Sequence, residues 1–212
     1  LSVSVGGVTR NVCENLARLG LPVRLITTVG EDMYGEMIRS WCQSCGIITG
    51  SFVTLPGKNS SSYVSIHRND GEMAVAISDM RIIQDLTPAR LEPMRDKLEN
   101  AGAIVVDGCL PQETMRYIIR TYGARVPVFA DPVSTAYARR LRPVMRGIDT
   151  IKPNRLEAEI LSGRTIRCEA DYFRAAEGIL AQGVRRVIIS AGSRGCYYAD
   201  NMGQRLWGRT RP

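Results

Sequence analysis

The feature that most constrains the fold of this chain is an alternation of helix-forming and strand-forming segments over most of its length. The spacing of apolar residues predicts helices at residues 10–19, 34–45, 88–100, 111–122, 134–145, 154–162 and 170–182. β-rich runs predict strands at residues 22–28, 103–107, 126–131, 150–152 and 186–191, before a last hairpin from Gly195. Strands that alternate with helices form parallel sheets covered on both faces, so we predict a three-layer α/β/α core with a mostly parallel sheet.

Residues 47–77 interrupt this alternation with short β-rich runs and turns. The runs lie at residues 51–55, 61–67 and 72–77. Between the last two runs, Asn69, Asp70 and Gly71 predict a hairpin turn, because Asp-Gly supplies the positive-φ positions of a tight turn. We therefore expect one domain that consists of an α/β core and a small β lid. The lid is expected at about residues 1–5 and 48–80, and the core at about residues 6–47 and 81–212.

Composition excludes several classes of protein. A length of 212 residues fits one domain, and 44% hydrophobic with 23% charged residues is typical of a globular protein. No apolar run approaches the ~18 residues that a membrane helix needs. The chain does not begin with a basic segment and an apolar core, so no signal peptide is visible. We therefore expect a cytoplasmic protein with no membrane segment.

The net charge of +7, from 28 Lys and Arg against 21 Asp and Glu, favours anionic partners. The densest basic group has no interleaved aromatic residue after Tyr137 and comprises Arg139, Arg140, Arg142 and Arg146. Nucleic-acid binders usually place aromatic residues within such a patch. We therefore do not expect nucleic acid as the main partner. A basic nucleic-acid-binding module stays an alternative, ranked below the two alternatives given at the end of this section. An anionic small molecule such as a nucleotide fits the same charge.

The six cysteines are too sparse for a disulfide scaffold, and Cys42 and Cys45 are the closest pair. This pair is expected near the end of a helix, where the helix dipole opposes thiolate formation. With His67 as the single histidine, no ligand set for zinc is complete. We expect reduced thiols in an intracellular protein.

The glycine pair Gly6 and Gly7 directly precedes a predicted helix. Glycine allows a ligand to approach the backbone, and the start of a helix offers unpaired N–H groups. Asn11 would lie in the first turn, where its amide can both donate to and accept from a hydroxyl group. A plain turn before a helix explains the same residues, so both interpretations stay open at this point.

Asn154 and Glu157 follow a predicted strand end, which is where open α/β sheets bind ligands. Their spacing places them on the same face of a helix, and the carboxylate could hold Mg²⁺ through water beside nucleotide phosphates. The same spacing is typical of a capping box at the start of a helix.

A second strand end carries small and hydroxyl residues that could approach a nucleotide, namely Ser190, Gly192, Ser193 and Gly195. An ordinary hairpin turn is the alternative interpretation. The chain has no Gly-Lys-Ser/Thr element and no Gly-x-Ser-x-Gly element. These absences argue against a P-loop NTPase and a serine hydrolase.

Taken together and in this order, the motifs resemble the PfkB, or ribokinase-like, family of carbohydrate and nucleoside kinases. The matching stretches are GGVTRNVCENLARLG, VGEDMYG, NSSSYVSIHRNDGEMAVAISDM, DPVSTA and IKPNRLEAEILSG. The resemblance implies that Gly6, Gly7 and Asn11 hold the sugar hydroxyls and that Asn154 and Glu157 organise Mg²⁺ and phosphate. It implies nucleotide binding by Ser190, Gly192, Ser193 and Gly195. It also implies further substrate contacts from Ser62, Asp79 and Asp107.

The function that this resemblance implies is transfer of phosphate from ATP to the 5′-hydroxyl of pseudouridine, with Mg²⁺ as cofactor. Dependence on a monovalent cation such as K⁺ stays open. It also implies that the lid closes over the sugar and forms a homodimer interface. Two alternatives stay open. One is another kinase of the family, of the ribokinase, fructokinase or adenosine kinase type, and the other is a non-catalytic binding protein with the same fold.

The chain also departs from the family pattern. The Gly-Ala-Gly-Asp element, whose Asp is the general base in the family, is absent, so the resemblance assigns no catalytic base here. The first core strand, which carries a sugar-binding Asp in the family, is absent as well. We expect a chain truncated at both ends rather than one that cannot catalyse, because both departures fall at the ends.

Overall fold

The chain divides into two units, of which the first ends at Leu91 and the second begins at Glu92. The computed structural model describes residues 3–68, 70 and 72–209. Within these residues, no helix combines the length and the apolar character needed to cross a membrane. The turn predicted at residues 69–71 lies partly outside the described residues.

The first unit contains two long helices, two short parallel strands and an antiparallel ribbon. Its helices are α1 (Val8–Arg18), α2 (Met33–Ser44) and α3 (Pro88–Leu91), and a 3₁₀ turn spans Arg81–Asp85. Its strands are β1 (Thr27–Gly30), β2 (Phe52–Leu55), β3 (Ser62–His67) and β4 (Met73–Asp79). β1 pairs with β2 in parallel, and β3 pairs with β4 antiparallel. We call β3 and β4 the ribbon.

Two predicted strands of this unit differ from the structure. The strand predicted at residues 22–28 begins only at Thr27, and Arg24 forms an isolated bridge to Ile48. A turn closed by the hydrogen bond from Phe52 N to Thr49 O separates this bridge from β2, so one continuous ladder cannot form. The run at residues 51–55 pairs with β1 in parallel, so the antiparallel ribbon contains only β3 and β4.

The second unit is built on one six-stranded sheet. Its strands are β5 (Ile104–Asp107), β6 (Val128–Asp131), β7 (Thr150–Ile151), β8 (Arg186–Ser190), β9 (Cys196–Asp200) and β10 (Arg205–Gly208). Its helices are α4 (Arg95–Glu99), α5 (Gln112–Tyr122), α6 (Thr135–Leu141), α7 (Arg155–Ser162) and α8 (Glu169–Leu180). The strand order is β10-β9-β8-β7-β6-β5, in which β5 to β8 are parallel and β9 and β10 are antiparallel.

Prolines shorten two of the predicted helices. Pro93 lies in a 3₁₀ turn, Glu92–Met94, that divides the predicted helix at residues 88–100 into α3 and α4. Pro143 lies in the 3₁₀ turn Arg142–Val144, which ends α6 at Leu141. Proline has no N–H group to donate and its ring clashes with the preceding turn, so a regular α-helix does not continue through it.

The inner parallel strands of this sheet, β6, β7 and β8, carry buried side chains. Val128, Ala130, Ile151, Val187 and Ile189 are all buried, as expected for strands covered by helices. Parallel strands share one direction, so β5, β6, β7 and β8 all end at the same edge of the sheet. We call this edge the carboxyl edge.

Candidate active site

The predicted glycine pair lies directly before α1. Gly7 is the residue that caps this helix, and no side chain caps its first turn, which leaves backbone N–H groups available there. Asn11 N donates to Gly7 O at 2.8 Å, and the Asn11 side chain accepts a hydrogen bond from Arg10. Gly6, Gly7 and Asn11 are exposed, so a ligand can reach all three.

Ser62 and Asp79 face each other at the base of the ribbon, where they are register partners. Both line a cavity of about 370 Å³ together with Asp32, Met33, Tyr34, Asn59 and Ser60. Arg81 binds both oxygens of Asp79, and these hydrogen bonds lower the pKa of Asp79 to about 2. Among the described residues that line this cavity, none belongs to the glycine pair or is Asn11.

A hydrogen-bond network around Asp32 holds the segment that leads into β3, and sequence reasoning missed it. Asp32 accepts from Gly35 N, Ser60 N and Ser60 Oγ, each at 2.7 Å, and Ser60 Oγ accepts from Gly30 N at 2.9 Å. A Cβ atom on Gly30 would lie 2.2 Å from the Lys58 carbonyl oxygen, so only glycine fits. The stretch VGEDMYG was the available signal, but nothing in it indicates a partner 28 residues away.

In the second unit, two aspartates end neighbouring strands at the carboxyl edge. Asp107 and Asp131 are register partners of β5 and β6. Asp107 Oδ1 accepts from Cys109 N at 3.0 Å, and Asp131 Oδ1 accepts from Val133 N at 2.8 Å. Sequence reasoning singled out Asp107 and missed Asp131, although both end a predicted strand.

The Asn154 and Glu157 pair forms a capping box at the start of α7. Glu157 N donates to Asn154 Oδ1 at 3.0 Å, and Asn154 N donates to Glu157 Oε2 at 2.8 Å. Burial raises the pKa of the Glu157 carboxyl, the hydrogen bond from the Asn154 backbone opposes this, and the nearby Asp131 carboxylate raises it further. The capping box that the spacing predicts is therefore present. Its hydrogen bonds use Glu157 Oε2, and the other carboxylate oxygen, Oε1, is not part of the box.

The two strand-end motifs lie next to each other. Asn154 and Ser190 form a parallel bridge, with Ser190 N donating to Pro153 O at 2.9 Å. Beyond Ser190, a 3₁₀ turn spans Gly192–Arg194 and leads into β9. Gly195 has φ 96°, and a Cβ atom there would lie 1.9 Å from the Gly208 carbonyl oxygen, so this position requires glycine.

The residues of this edge fit Mg²⁺ only with most of its ligands supplied by water or phosphate. No group of three His, Cys, Asp or Glu side chains suited to a metal occurs in residues 3–68, 70 and 72–209. Glu157 nevertheless offers a carboxylate oxygen beside Asn154, and Mg²⁺ often keeps several waters and one or two carboxylates in phosphate sites.

The six cysteines form no disulfide bond. All six are free thiols, and Cys13 and Cys42 are buried in a cluster with Leu25 and Ile47. Burial raises the pKa of Cys13 to about 11 and raises that of Cys42 as well, so both stay protonated.

The model of the pfkB family carbohydrate kinases matches residues 1–210. The chain belongs to this family. It is 38% identical over 202 residues to the pseudouridine kinase of Escherichia coli, covering 95% of this chain and 64% of the relative. It is 34% identical over 203 residues to the sugar kinase YeiI of the same organism, covering 96% and 56%.

A solved structure shows the same fold. Arabidopsis thaliana ribokinase, complexed with ribose and ATP, superposes with a TM-score of 0.84 at 20% identity, covering 98% of this chain and 67% of that one. The predicted ribokinase-like α/β fold is therefore confirmed. The chain spans less than two thirds of the length of both curated relatives, at 64% and 56%.

Proposed function

We propose that this protein transfers a phosphoryl group from ATP to the 5′-hydroxyl of pseudouridine. The observation that carries the proposal is the 38% identity to a pseudouridine kinase over 95% of the chain. YeiI, described only as a sugar kinase, is 34% identical, so another sugar or nucleoside is the alternative substrate. Both alternatives share one reaction class, phosphoryl transfer to an alcohol.

The carboxyl edge supports the nucleotide half of this proposal. Phosphoryl transfer depends mainly on positioning the phosphates and on stabilising their charge. The capping box holds Asn154 and Glu157 beside Ser190, and the turn with Gly192, Ser193 and Gly195 follows directly. Mg²⁺, when bound, would neutralise charge on the phosphates, and Glu157 would hold it through water. A K⁺ requirement stays a prediction, with no residue assigned to it.

The first unit supports the acceptor half. Exposed Gly6, Gly7 and Asn11 offer N–H groups and an amide to sugar hydroxyls. Ser62 and Asp79 line the cavity at the base of the ribbon and would contact the acceptor there. Asp107, at the end of β5, stays a further proposed substrate contact. We assign no general base to a residue of this chain.

The ribbon is proposed as the dimer interface. Val64, Ile66, Val75 and Ile77 share one face of it, because Val64 pairs with Ile77 and Ile66 with Val75. These four side chains are 47–65% exposed. A two-stranded ribbon is marginally stable alone, and the same face of a second copy would bury these side chains.

The test is a phosphorylation assay with ATP and the protein expressed from its complete coding sequence. Cell fractionation tests the proposed localisation, since we expect the protein in the cytoplasmic fraction. Pseudouridine, uridine, adenosine, ribose and fructose are compared by kcat/KM. A preference for pseudouridine is expected, preference for another acceptor would replace the substrate, and no turnover with any acceptor would contradict the kinase proposal.

A matched pair of variants tests the acceptor site. Asn11→Ala should raise the KM for pseudouridine about ten-fold, because the lost hydrogen bonds to hydroxyls are worth roughly one power of ten. Asn15→Ala is the control, since Asn15 is an exposed asparagine one turn further along α1. Equal KM values for the two variants would contradict the assignment of Asn11 to the acceptor site.

A further inference from the structure

The turn after β6 holds a strained backbone. Val133 has φ 69° and is the only non-glycine residue with a positive φ in the part of the chain that the structure describes. Ser134 N donates to Pro132 O at 2.8 Å, which closes a tight three-residue turn around Val133. A positive φ is uncommon for any side chain and a true outlier for a β-branched one, so the surroundings must impose it.

The neighbouring loop helps to impose this conformation. Gly108 N donates to Asp131 O at 2.9 Å, and a Cβ atom on Gly108 would lie 2.6 Å from Pro132 O. The loop after β5 therefore packs directly against the turn after β6. Strain that persists in such a setting points to a functional reason for the turn.

The turn fixes the direction of one carboxylate. Asp131 uses Oδ1 to accept from Val133 N at 2.8 Å, and its other oxygen, Oδ2, lies 3.8 Å from Lys152 Nζ. The side chains of Lys152 and Asp131 are 57% and 25% exposed. An ion pair this exposed contributes little to folding stability, so stability is a weak reason for the strain.

Lys152 lies where phosphate is expected. It directly follows β7 and comes two residues before Asn154. Asp131 and Lys152 both act on the Glu157 carboxyl, which Asp131 shifts to higher and Lys152 to lower pKa, so the three groups share one local field. An ammonium group is a flexible point charge suited to phosphate, and holding it in place beforehand reduces the entropy lost on binding.

We propose that Lys152 binds the nucleotide phosphates and that Asp131 is the positioning residue that holds its ammonium group at the carboxyl edge. The proposal rests on the proposed function, because it adds one contact to the same nucleotide site. The positioning role predicts that removal of the Asp131 charge weakens nucleotide binding. If Asp131 acted only as a negative charge near phosphate, its removal would strengthen nucleotide binding.

The experiment measures binding by calorimetry with three probes: ATP with Mg²⁺, inorganic tripolyphosphate, and adenosine. Lys152→Gln should weaken binding of ATP and tripolyphosphate about ten-fold and leave adenosine binding unchanged, because a charge-assisted contact to phosphate is lost. Lys152→Arg keeps the charge and should restore most of the affinity. Lys97→Gln is the matched control, since Lys97 is an exposed lysine on α4 of the same unit.

Asp131→Asn tests the positioning role. The amide oxygen can still accept from Val133 N, so the turn is kept while the charge facing Lys152 is lost. We expect ATP binding about three-fold weaker, and no further loss when this change is added to Lys152→Gln, because Asp131 acts through Lys152. Tighter binding in Asp131→Asn, or additive losses in the double variant, would overturn the positioning role.

The failure of this inference and of the proposed function give different results. If the unchanged protein binds ATP and phosphorylates pseudouridine while Lys152→Gln binds ATP equally well, only this inference is wrong. If the unchanged protein binds neither ATP nor tripolyphosphate, both are wrong. Thermal melting of each variant identifies a loss of fold, and Lys152→Gln, at an exposed position, keeps the test decisive if Asp131→Asn unfolds.

Discussion

The carboxyl edge of the second unit and the ribbon of the first unit are built in opposite ways. At the edge, Asp107, Asp131, Asn154 and Glu157 each bond to the backbone of their own loop, and Glu157 is buried. In the ribbon, every residue of β3 is exposed. The contrast shows that hydrogen bonds within the chain hold the side chains of the edge, whereas β3 leaves both of its faces exposed.

The largest effect on folding stability is expected from a substitution in the turn after β8, at the carboxyl edge. Gly195→Ala should lower the free energy of unfolding by about 3 kcal/mol or more, because the new Cβ would clash with Gly208 O at 1.9 Å and φ is 96°. Gly192→Ala is the control in the same turn, where nothing lies within 4 Å and only φ 61° opposes alanine. It should cost about 1 kcal/mol. Urea unfolding measures both, and equal losses would contradict the close approach.

Part of this edge was predictable from the sequence, and part was not. The strand ends and the Asn154 and Glu157 spacing are local, so both the helix start and the two interpretations of the pair followed from the sequence. The role of Asp131 was missed because it depends on Val133 and Lys152, and Lys152 lies on a different strand connection. Register between parallel strands joins residues far apart in sequence, which local spacing does not encode.

The first unit gives the same lesson. The run at residues 51–55 is a strand, as its β-rich sequence predicts, and its partner is β1 rather than the ribbon. β propensity indicates that a segment is a strand and does not indicate its partner. The ribbon itself was predicted, since its turn chemistry and its two strands are close in sequence.

The second prediction concerns the segment that leads into β3. Ser60→Ala should lower the free energy of unfolding by about 1–3 kcal/mol, because buried Ser60 links Asp32 to Gly30 N. Ser61→Ala is the neighbouring control and should change it by less than about 0.5 kcal/mol. Urea unfolding at neutral pH measures both. A cost for Ser60→Ala no greater than for Ser61→Ala would contradict the network.

The same network predicts a pH dependence. Burial raises the pKa of Asp32, but the hydrogen bonds from Ser60 and from the backbone of Ser60, Gly35 and Tyr34 lower it more, so the net shift is below the ordinary value of 3.8. A lowered pKa in the folded state adds stability above the unfolded pKa and loses it as pH falls through the folded pKa. The cost of Ser60→Ala should therefore shrink below about pH 4. A cost that stays constant down to pH 2 would show that the charge on Asp32 is not involved.

The third prediction tests strain at the edge. Val133→Gly should leave the protein equally stable or more stable by up to about 1 kcal/mol, because relief of the strain at φ 69° outweighs the entropy cost of glycine. Val105→Gly, in β5 where φ is not positive, should be destabilising by about 1 kcal/mol or more. Thermal melting compares the two. Equal losses would mean that the Val133 turn stores no strain.

The smallest change in folding stability is expected in the ribbon. Val64→Ser and Ile77→Ser should each change the free energy of unfolding of one protomer by less than about 0.5 kcal/mol, because these side chains are 53% and 65% exposed. If a second copy covers this face, the dimer dissociation constant should still rise about ten-fold, since apolar area buried between the copies is lost. Sedimentation velocity over a concentration series measures it. Tyr63→Ser, on the opposite face and 57% exposed, should leave dimerisation unchanged. Equal weakening by all three variants would show that the apolar face is not the interface, and the contrast with the carboxyl edge would then need another partner for the ribbon.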